Sequence, residues 1–246
     1  MSRMKFMNTE IDNLTMQETL QAIDRLIQED RSAYVVTPNV DHIVQLETSK
    51  ELQAVYENAS LILTDGKPLL WIAKWYGTPI KEKISGSDLF PLLCDMAAKK
   101  GYKMFFLGAA EGVAAKAAEN LANKFKGLQV VGTYSPPFSF EKDPVEMDKI
   151  KSMIKEAAPH ILIVGLGCPK QEKFMYHHCK ELGVPISFGL GASFDFEAGN
   201  IKRAPRWMSN HGLEWLFRIT QDPKRMAKRY LVDDRKILGL AIKYRK

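Results

Sequence analysis

The sequence predicts an α/β fold in which a largely parallel sheet carries helices on both faces, followed by a basic helical appendage. Short apolar runs rich in β-branched residues alternate with helical patterns along the chain, as in α/β folds. The run 160–167 (HILIVGLG) is almost continuously apolar, which is typical of parallel strands buried on both faces. The composition becomes basic and aromatic near 199–205, so we place a boundary there between a core (1–200) and an appendage (201–246).

The individual elements follow from local patterns, in chain order. The predicted strands lie within 32–37, 61–64, 103–108, 128–134, 160–167 and 185–191. The predicted helices lie within 41–59, 68–77, 88–101, 111–125, 144–158 and 171–183. Each strand is a short apolar run, and the helical segments have the composition and spacing of α-helices. The segment 134–144 contains two adjacent prolines and is predicted to be irregular.

Composition places the chain among ordinary globular proteins. With 246 residues, of which 46% are hydrophobic and 26% charged, it is long enough to bury a sizeable core. Its three cysteines form no C-x-x-C pair, which favours a reducing compartment over a disulfide or zinc framework. We find neither a secretory signal nor a run of about eighteen apolar residues, so any membrane contact is expected to occur from the surface.

The net charge of +6 is concentrated at the C-terminus. Residues 202–246 contain thirteen Lys or Arg against four Asp or Glu, whereas the residues before them are net acidic. A basic segment is compatible with nucleic acid, anionic lipid or phosphorylated ligands. The appendage therefore needs an explanation of its own.

Glycines follow two of the predicted strands, at the edge where parallel sheets bind ligands. Gly108 precedes an alanine-rich helix whose free N–H groups suit a phosphate, although an ordinary tight turn fits the pattern equally well. Gly167 is followed by Lys170 and Gln171 at the start of the next helix. The lysine suits a phosphate, and the glutamine amide suits a base edge or a sugar hydroxyl. A capped helix with a solvated polar face is the alternative.

Polar side chains follow other predicted strands. Asp65 either caps the helix after it or serves as a general base at the edge of the sheet. Thr37 and Asn39 leave the first predicted strand with hydrogen-bonding side chains, either in an ordinary turn or at a ligand. Asp195 lies between two phenylalanines, a setting that predicts a buried carboxylate that is hydrogen-bonded or functional.

Metal and covalent chemistry are poorly supported by the sequence. His177 and His178 are adjacent on a predicted helix and point apart, unlike an i, i+4 ligand pair, and there is no Asp-x-Asp pair. No G-x-S-x-G segment occurs, and Cys179 is the one cysteine with a histidine beside it. We therefore expect no metal, no cofactor and no covalent intermediate.

Seven segments, in order, resemble the WecG/TagA/CpsF glycosyltransferases. They are TPN (37–39), LTDGKP (63–68), ISGSDLF (84–90), FFLG (105–108), VGLGCPKQEKF (164–174), GASFDFEAGNIKRAPRW (191–207) and GLEWLFR (212–218). The resemblance runs from about Tyr34 to Tyr230. Several long motifs in one order are more specific than any single glycine turn.

The resemblance implies a Rossmann-like core and a metal-independent, inverting transferase. It implies a UDP-sugar donor, often UDP-N-acetylmannosamine, and an acceptor N-acetylglucosamine linked to undecaprenyl pyrophosphate. Asp65 matches the proposed base of the family, and Thr37 and Gln171 match residues that line its pocket. The family commonly has arginine where this chain has Lys83, which offers a point charge instead of a bidentate fork. Arg203 lies within a matching motif and joins the candidate substrate-binding residues.

The resemblance also implies that the appendage closes over the site at the membrane and supplies arginines for the diphosphate. By this analogy the candidates are Arg218, Arg225 and Arg229. The apolar residues spaced to lie near one helical face are Met226, Tyr230, Ile237, Ala241 and Tyr244. Basic residues occupy most of the rest, as in an interfacial helix on anionic lipid; a solvated basic helix or a dimer contact would show the same pattern.

The predicted function is therefore sugar transfer to a lipid-linked acceptor in cell-surface polymer synthesis, by a cytoplasmic enzyme held at the inner face of the membrane. The same reaction with N-acetylmannosaminuronic acid, glucose or glucuronic acid is an alternative. A nucleotide-dependent oxidoreductase is another, although a G-x-G-x-x-G with an acidic residue about twenty positions later is missing. A nucleic-acid-binding or membrane-binding module built on the appendage is the third. We predict no nucleic-acid partner and allow for a homo-oligomer.

Overall fold

The computed structural model describes residues 3–245, apart from the side chains of Arg206, Asn210 and Arg225. The strands are β1 (Arg3–Phe6), β2 (Thr9–Asp12), β3 (Ala33–Val36), β4 (Leu61–Ile62), β5 (Lys103–Gly108), β6 (Gln129–Tyr134), β7 (Ile161–Gly165) and β8 (Ile186–Gly189). The α-helices up to residue 200 are α1 (Met16–Glu29), α2 (Val40–Leu46), α3 (Lys50–Glu57), α4 (Lys67–Trp75), α5 (Gly86–Lys100), α6 (Val113–Lys124), α7 (Pro144–Ala157), α8 (Lys170–Leu182) and α9 (Gly191–Ala198). These elements confirm the predicted α/β class.

The C-terminal segment is helical but interrupted. It contains α10 (Arg206–Asn210), α11 (Glu214–Gln221), α12 (Pro223–Lys228) and α13 (Lys236–Lys243), with a π-helix at Arg229–Asp233. A 3-10 helix at Phe140–Lys142 lies within the segment predicted to be irregular.

The described residues form two compact units. The first consists of residues 3–17, 36–85 and 201–245, and the second of residues 18–35 and 86–200. The first unit thus combines the C-terminal helices with two earlier stretches of the chain. The predicted division into a core (1–200) and an appendage (201–246) stays a prediction.

The second unit contains five neighbouring strands in the order β3-β8-β7-β5-β6. The pairs β3–β8, β8–β7, β7–β5 and β5–β6 are all parallel, as predicted. Every residue of β3, β7 and β8 is buried, which explains why these strands are apolar without alternation. The register places Gly108 opposite Gly165 at the carboxyl ends of β5 and β7.

The first unit begins with a hairpin that no sequence expectation covered. Strands β1 and β2 are antiparallel, and Asp12 at the end of β2 is buried. Its Oδ2 accepts a hydrogen bond of 2.9 Å from the Ile62 backbone N–H, and its Oδ1 lies 3.4 Å from Arg3 Nε. A buried carboxylate with these partners is satisfied, so it anchors β4 beside the hairpin.

Two sequence predictions in the first unit were wrong in detail. The single helix expected within 41–59 is the pair α2 and α3, because Ser49 caps α3 by accepting a hydrogen bond of 3.2 Å from Leu52 N–H. The apolar face predicted for one C-terminal helix is shared between α12, the π-helix and α13. Met226, Ile237 and Ala241 are buried, whereas the two tyrosines of that face are half-buried.

Candidate active site

The first unit contains a cavity of about 390 Å³. Five predicted site residues line it: Asn39, Asp65, Lys83, Arg218 and Arg229. Further lining residues include Glu214, Tyr230, Asp234 and Leu238. The cavity is therefore lined by residues from two separate stretches of the chain, one before Ser85 and one after Asn200.

Asp65 is held at the cavity by its backbone. Its N–H donates a hydrogen bond of 2.8 Å to the Pro38 carbonyl, which ties the segments after β3 and β4 together. The N-cap of α4 is Gly66, at φ +105°, and no side chain caps this helix. Asp65 is therefore not the N-cap residue of α4, so that alternative is wrong, and its carboxylate is half-buried.

Asn39 and Thr37 lie in different surroundings. Asn39 is the N-cap of α2, where its side chain accepts from His42 N–H and the His42 side chain accepts from the Asn39 backbone in return. Its Oδ1 also accepts a hydrogen bond of 3.2 Å from Arg229 Nη2. Thr37 is buried and is not one of the residues that line the cavity.

Arg218 brings a guanidinium to the same cavity as Asp65. Its Nη2 donates a hydrogen bond of 3.0 Å to Glu214 Oε1, one turn earlier on α11. Burial alone would lower the pKa of Arg218, but the charge of Glu214, together with Tyr230 and Asp65, outweighs it and raises the pKa. The guanidinium therefore carries a permanent positive charge, which interacts electrostatically with the Asp65 carboxylate.

Arg229 is the second guanidinium of the cavity. Besides Asn39 it contacts Asp41, whose Oδ2 lies 3.5 Å from Nη2, and Asp234, whose Oδ2 lies 4.0 Å from Nε. Asp234 is buried, and burial raises its pKa to about 6 although Arg229 acts in the opposite direction. The charge of the neighbouring Asp41 contributes to this increase.

The remaining basic candidates differ in position. Lys83 lines the cavity, where the family pattern has arginine. Arg203 is exposed and is not among the lining residues. The side chain of Arg225 lies outside the described residues.

In the second unit, Gly108 and Gln171 lie at the carboxyl ends of the central strands. Gly108 adopts φ +108°, a region that favours glycine, and Gly191 N–H donates to Gln171 Oε1 at 3.3 Å. Gln171 Nε2 donates to Glu172 Oε1 at 2.8 Å, and both side chains are buried. The solvated polar face considered for this helix is therefore wrong at these two positions.

Lys170 and Gly167 complete this group of predicted residues. Lys170 Nζ lies 3.2 Å from Glu141 Oε1 and 5.0 Å from the centre of the exposed Phe138 ring. Gly167 has φ +76°, and a Cβ at this position would meet open space. The turn after β7 thus leaves room beside its backbone, as an approaching ligand requires.

Asp195 was expected to be buried, and that expectation was wrong. It lies on α9 and is half-buried, whereas its neighbour Phe194 is fully buried. The helical turn directs consecutive side chains to different faces, so a flanking phenylalanine does not bury the carboxylate. Asn200 Nδ2 donates a hydrogen bond of 3.5 Å to Asp195 Oδ1.

The Cys94 and Cys179 thiols of the second unit lack the character of nucleophiles. Burial raises the pKa of the Cys94 thiol and that of Cys179. The Cys179 thiol is therefore protonated at neutral pH despite the histidine beside it in sequence.

The close approach of Gly108 to Gly165 supplies a test of the strand ends. A Cβ at residue 108 would lie 2.4 Å from the Gly165 carbonyl oxygen, at a positive φ. Gly108→Ala is therefore expected to destabilise the protein by about 3 kcal/mol or more, through backbone strain and overpacking. Gly239→Ala, inside α13 with no atom within 4 Å of the new Cβ, should instead stabilise it by about 0.5–1 kcal/mol. Urea unfolding of both variants measures the difference, and equal stabilities would contradict the geometry.

Sequence reasoning missed Glu214 and Asp234 as members of the cavity. In the sequence, Glu214 and Asp234 contributed only to the count of acidic residues within the basic segment 202–246. The spacing of four between Glu214 and Arg218 was a usable signal, since side chains at i and i+4 meet on a helix. No local pattern indicated that Asp234 would be buried.

Comparison with known proteins decides the family. The model of the glycosyl transferase WecG/TagA/CpsF family matches residues 4–246. An N-acetylglucosaminyldiphosphoundecaprenol N-acetyl-beta-D-mannosaminyltransferase of Bacillus spizizenii (strain W23) is 34% identical over 203 residues, covering 82% of this chain and 76% of the relative. The chain belongs to the WecG/TagA/CpsF glycosyltransferase family. A transferase of the same name from Bacillus subtilis (strain 168) is 29% identical over 202 residues, covering 82% of this chain and 77% of that relative.

Family membership confirms that this protein is a glycosyltransferase, as the sequence predicted. Among the described residues, every helix is too short or too polar to span a bilayer.

Proposed function

We propose that this glycosyltransferase moves N-acetylmannosamine from a UDP-sugar to N-acetylglucosamine linked to a polyprenyl diphosphate. The observation that carries the proposal is a cavity lined by the Asp65 carboxylate together with the guanidiniums of Arg218 and Arg229, of which Arg218 interacts with the charge of Asp65. Sugar transfer needs a base for the acceptor hydroxyl and positive charge for the departing diphosphate. The names of the two Bacillus relatives support this donor sugar and acceptor.

Asp65 is the proposed general base. Its backbone is fixed by Pro38 and its carboxylate lies in the cavity, so it is placed to take the proton of an acceptor hydroxyl. The hydroxyl oxygen then attacks the anomeric carbon from the face opposite the diphosphate. The bond from the anomeric carbon to the diphosphate oxygen breaks, and the configuration is inverted. No covalent sugar–enzyme intermediate forms.

Arg218 and Arg229 are the proposed partners of the leaving diphosphate. A guanidinium offers paired N–H donors that match phosphate oxygens, and its charge stabilises the negative charge that develops. Lys83 adds a point charge on the same cavity. In the second unit, Gly108, Gly167, Lys170, Gln171 and Asp195 stay candidate substrate-binding residues from the sequence. Thr37 and Arg203 stay as candidate substrate contacts from the family resemblance.

The direct test is a transfer assay with a panel of UDP-sugars and a lipid-diphosphate-linked N-acetylglucosamine acceptor in EDTA. Transfer of N-acetylmannosamine in preference to its uronic acid, glucose or glucuronic acid supports the proposal. Because the assay contains EDTA, the same result supports a reaction that needs no metal ion. Transfer from another donor in the panel would replace the donor assignment. A failure to transfer from any UDP-sugar would overturn the proposed reaction.

We also propose that the C-terminal helices hold the enzyme on an anionic membrane. Leu231, Val232, Leu238 and Ile242 are exposed there, whereas the face formed by Met226, Ile237 and Ala241 packs inside the first unit. Exposed apolar side chains among lysines and arginines are typical of helices that lie in a bilayer interface. The surface available for lipid therefore differs from the apolar face that residue spacing indicated.

Point variants test this membrane surface better than truncation. Truncation near residue 200 would remove Ala241, whose carbonyl accepts a hydrogen bond of 2.6 Å from Tyr76 Oη, and other buried contacts of the first unit. Val232→Glu combined with Ile242→Glu is expected to weaken binding to anionic vesicles at least about tenfold, since two apolar contacts become charged. Val145→Glu, at a side chain that is 78% exposed in the second unit, is the matched control. Co-sedimentation with vesicles measures both, and equal binding by the three proteins would exclude this surface.

A further inference from the structure

Asp234 is a buried carboxylate that the proposed reaction does not use. It is 8% exposed, lines the cavity, and follows the π-helix that begins with Arg229. Its backbone N–H donates a hydrogen bond of 2.8 Å to the Arg229 carbonyl. The π-helical turn therefore keeps the carboxylate beside the guanidinium of the residue five positions earlier.

The contacts of this pair leave hydrogen-bonding capacity unused. Arg229 Nη2 reaches Asn39 and Asp41, but its Nε lies 4.0 Å from Asp234 Oδ2, too far for a hydrogen bond. Among the described residues, neither Arg229 Nε nor Asp234 Oδ1 has a hydrogen-bond partner. A buried donor and a buried acceptor on one cavity are thus both incompletely satisfied, which costs free energy in the empty site.

The charges around Asp234 come from two elements. Arg229 and Asp233 face it from its own segment, and Asp41 and His42 face it from α2. The pKa of Asp234 is raised to about 6, chiefly by burial; Asp41 and Asp233 also raise this pKa, whereas Arg229 and His42 lower it. Arg229 therefore has the largest effect among the positive charges that favour the ionised form of Asp234.

We propose that Asp234 competes with the bound diphosphate for Arg229, so that the donor binds with uptake of a proton at Asp234. This inference rests on the proposed function, because it requires a diphosphate in the cavity. When the diphosphate takes the guanidinium, the buried Asp234 loses its counter-charge and meets new negative charge. Both changes favour its neutral form. Ionised Asp234 conversely draws Arg229 away from the diphosphate and promotes release of the nucleotide after transfer.

The direction of the pH dependence follows from linkage. A ligand that binds the protonated form more tightly gains affinity as the pH falls. If the diphosphate raises the proton affinity of Asp234 tenfold, donor affinity is about fivefold higher at pH 6 than at pH 8, with uptake of about half a proton near pH 6.5. The donor is a diphosphate diester and lacks the monoester proton that titrates near pH 6, so the ligand itself does not mimic this effect.

Isothermal titration calorimetry with UDP-N-acetylmannosamine, in two buffers of different ionisation enthalpy between pH 5.5 and 8, counts the protons taken up. We expect the wild-type enzyme to take up protons when the donor binds, and Asp234→Asn to lack the part of this uptake that is due to the Asp234 carboxylate. Asp234→Asn should also bind the donor more tightly than wild type at pH 8. Asp233→Asn is the matched control, since it makes the same change of charge one residue away at a half-buried position. It should retain the uptake, with the pH of maximal uptake slightly lower because Asp233 no longer raises the pKa of Asp234. Equal uptake by wild type and Asp234→Asn, or none by wild type, would overturn the proposal.

Two further readouts separate the possible failures. If wild type binds no UDP-sugar at any pH, the proposed function itself fails; binding without proton uptake overturns the role of Asp234 alone. Because the pKa of Asp234 is raised, ionising it costs stability as the pH rises through about 4 to 6. Asp234→Asn is therefore expected to melt at a higher temperature than wild type at pH 8. A lower melting temperature together with unchanged proton uptake would indicate a structural residue and contradict the proposal.

Discussion

Replacing Asp65 with asparagine is expected to lower kcat by about 10²–10⁴-fold, the usual contribution of a general base. Asparagine has nearly the same shape but cannot accept the proton of the acceptor hydroxyl. Gly66, and not Asp65, occupies the N-cap of α4, so the helix start does not depend on this carboxylate. The hydrogen bond from the Asp65 backbone to Pro38 is also retained. The loss should therefore appear in turnover and not in stability.

Initial-rate kinetics with saturating donor and acceptor measure this effect, alongside thermal unfolding and donor affinity. Asp95→Asn is a suitable control, because Asp95 is a half-buried acid of the second unit that is paired with Lys99 and does not line the cavity. Its kcat should match that of wild type. An Asp65→Asn enzyme with near-normal kcat would assign the base to another group.

Arg218→Gln should lower kcat by about 10²–10³-fold, as is typical for removal of one donor that stabilises developing charge. The guanidinium is held by Glu214 at 3.0 Å and interacts with the charge of Asp65, so it is positioned before substrate arrives. Arg218→Lys restores the charge without the bidentate fork and should recover only part of the rate. A partial recovery would distinguish charge from geometry.

The kinetic split makes this second prediction specific. If Arg218 acts on the leaving diphosphate mainly in the transition state, kcat falls while the KM for the donor changes little. Lys224→Gln removes one positive charge from an exposed position on α12 that does not line the cavity, and should leave kcat unchanged. Equal kcat for Arg218→Gln and Lys224→Gln would show that the loss of positive charge at Arg218 has no specific effect.

Much of the second unit could be predicted from the sequence, because its signals are local. The strand 103–108 coincides with β5, and the predicted helices near 144–158 and 171–183 differ from α7 and α8 by a residue at their ends. Buried parallel strands need apolar residues on both faces, so they stand out as continuous runs. The hairpin β1–β2 escaped prediction because its short strands, RMKF and TEID, are not continuous apolar runs.

Burial was harder to predict than secondary structure. Asp195 was expected inside because of its phenylalanine neighbours, yet consecutive residues on a helix face different directions. Gln171 and Glu172 were compatible with a solvated face, yet both are buried. Sequence neighbours define a residue's chemistry but not the side of the element on which it lies.

The sequence by itself determined the α/β class, the family and the presence of Asp65 after a strand. It also showed that the C-terminal segment is basic and helical, because net charge and the spacing of apolar residues depend only on local sequence. Only the tertiary structure decided which of those basic residues reach Asp65, and that Asp234 lies buried beside Arg229. The contact between Asn39 and Arg229 joins residues 190 positions apart. Local sequence patterns carry no information about such a pair, because its distance depends on how separate stretches of the chain pack together.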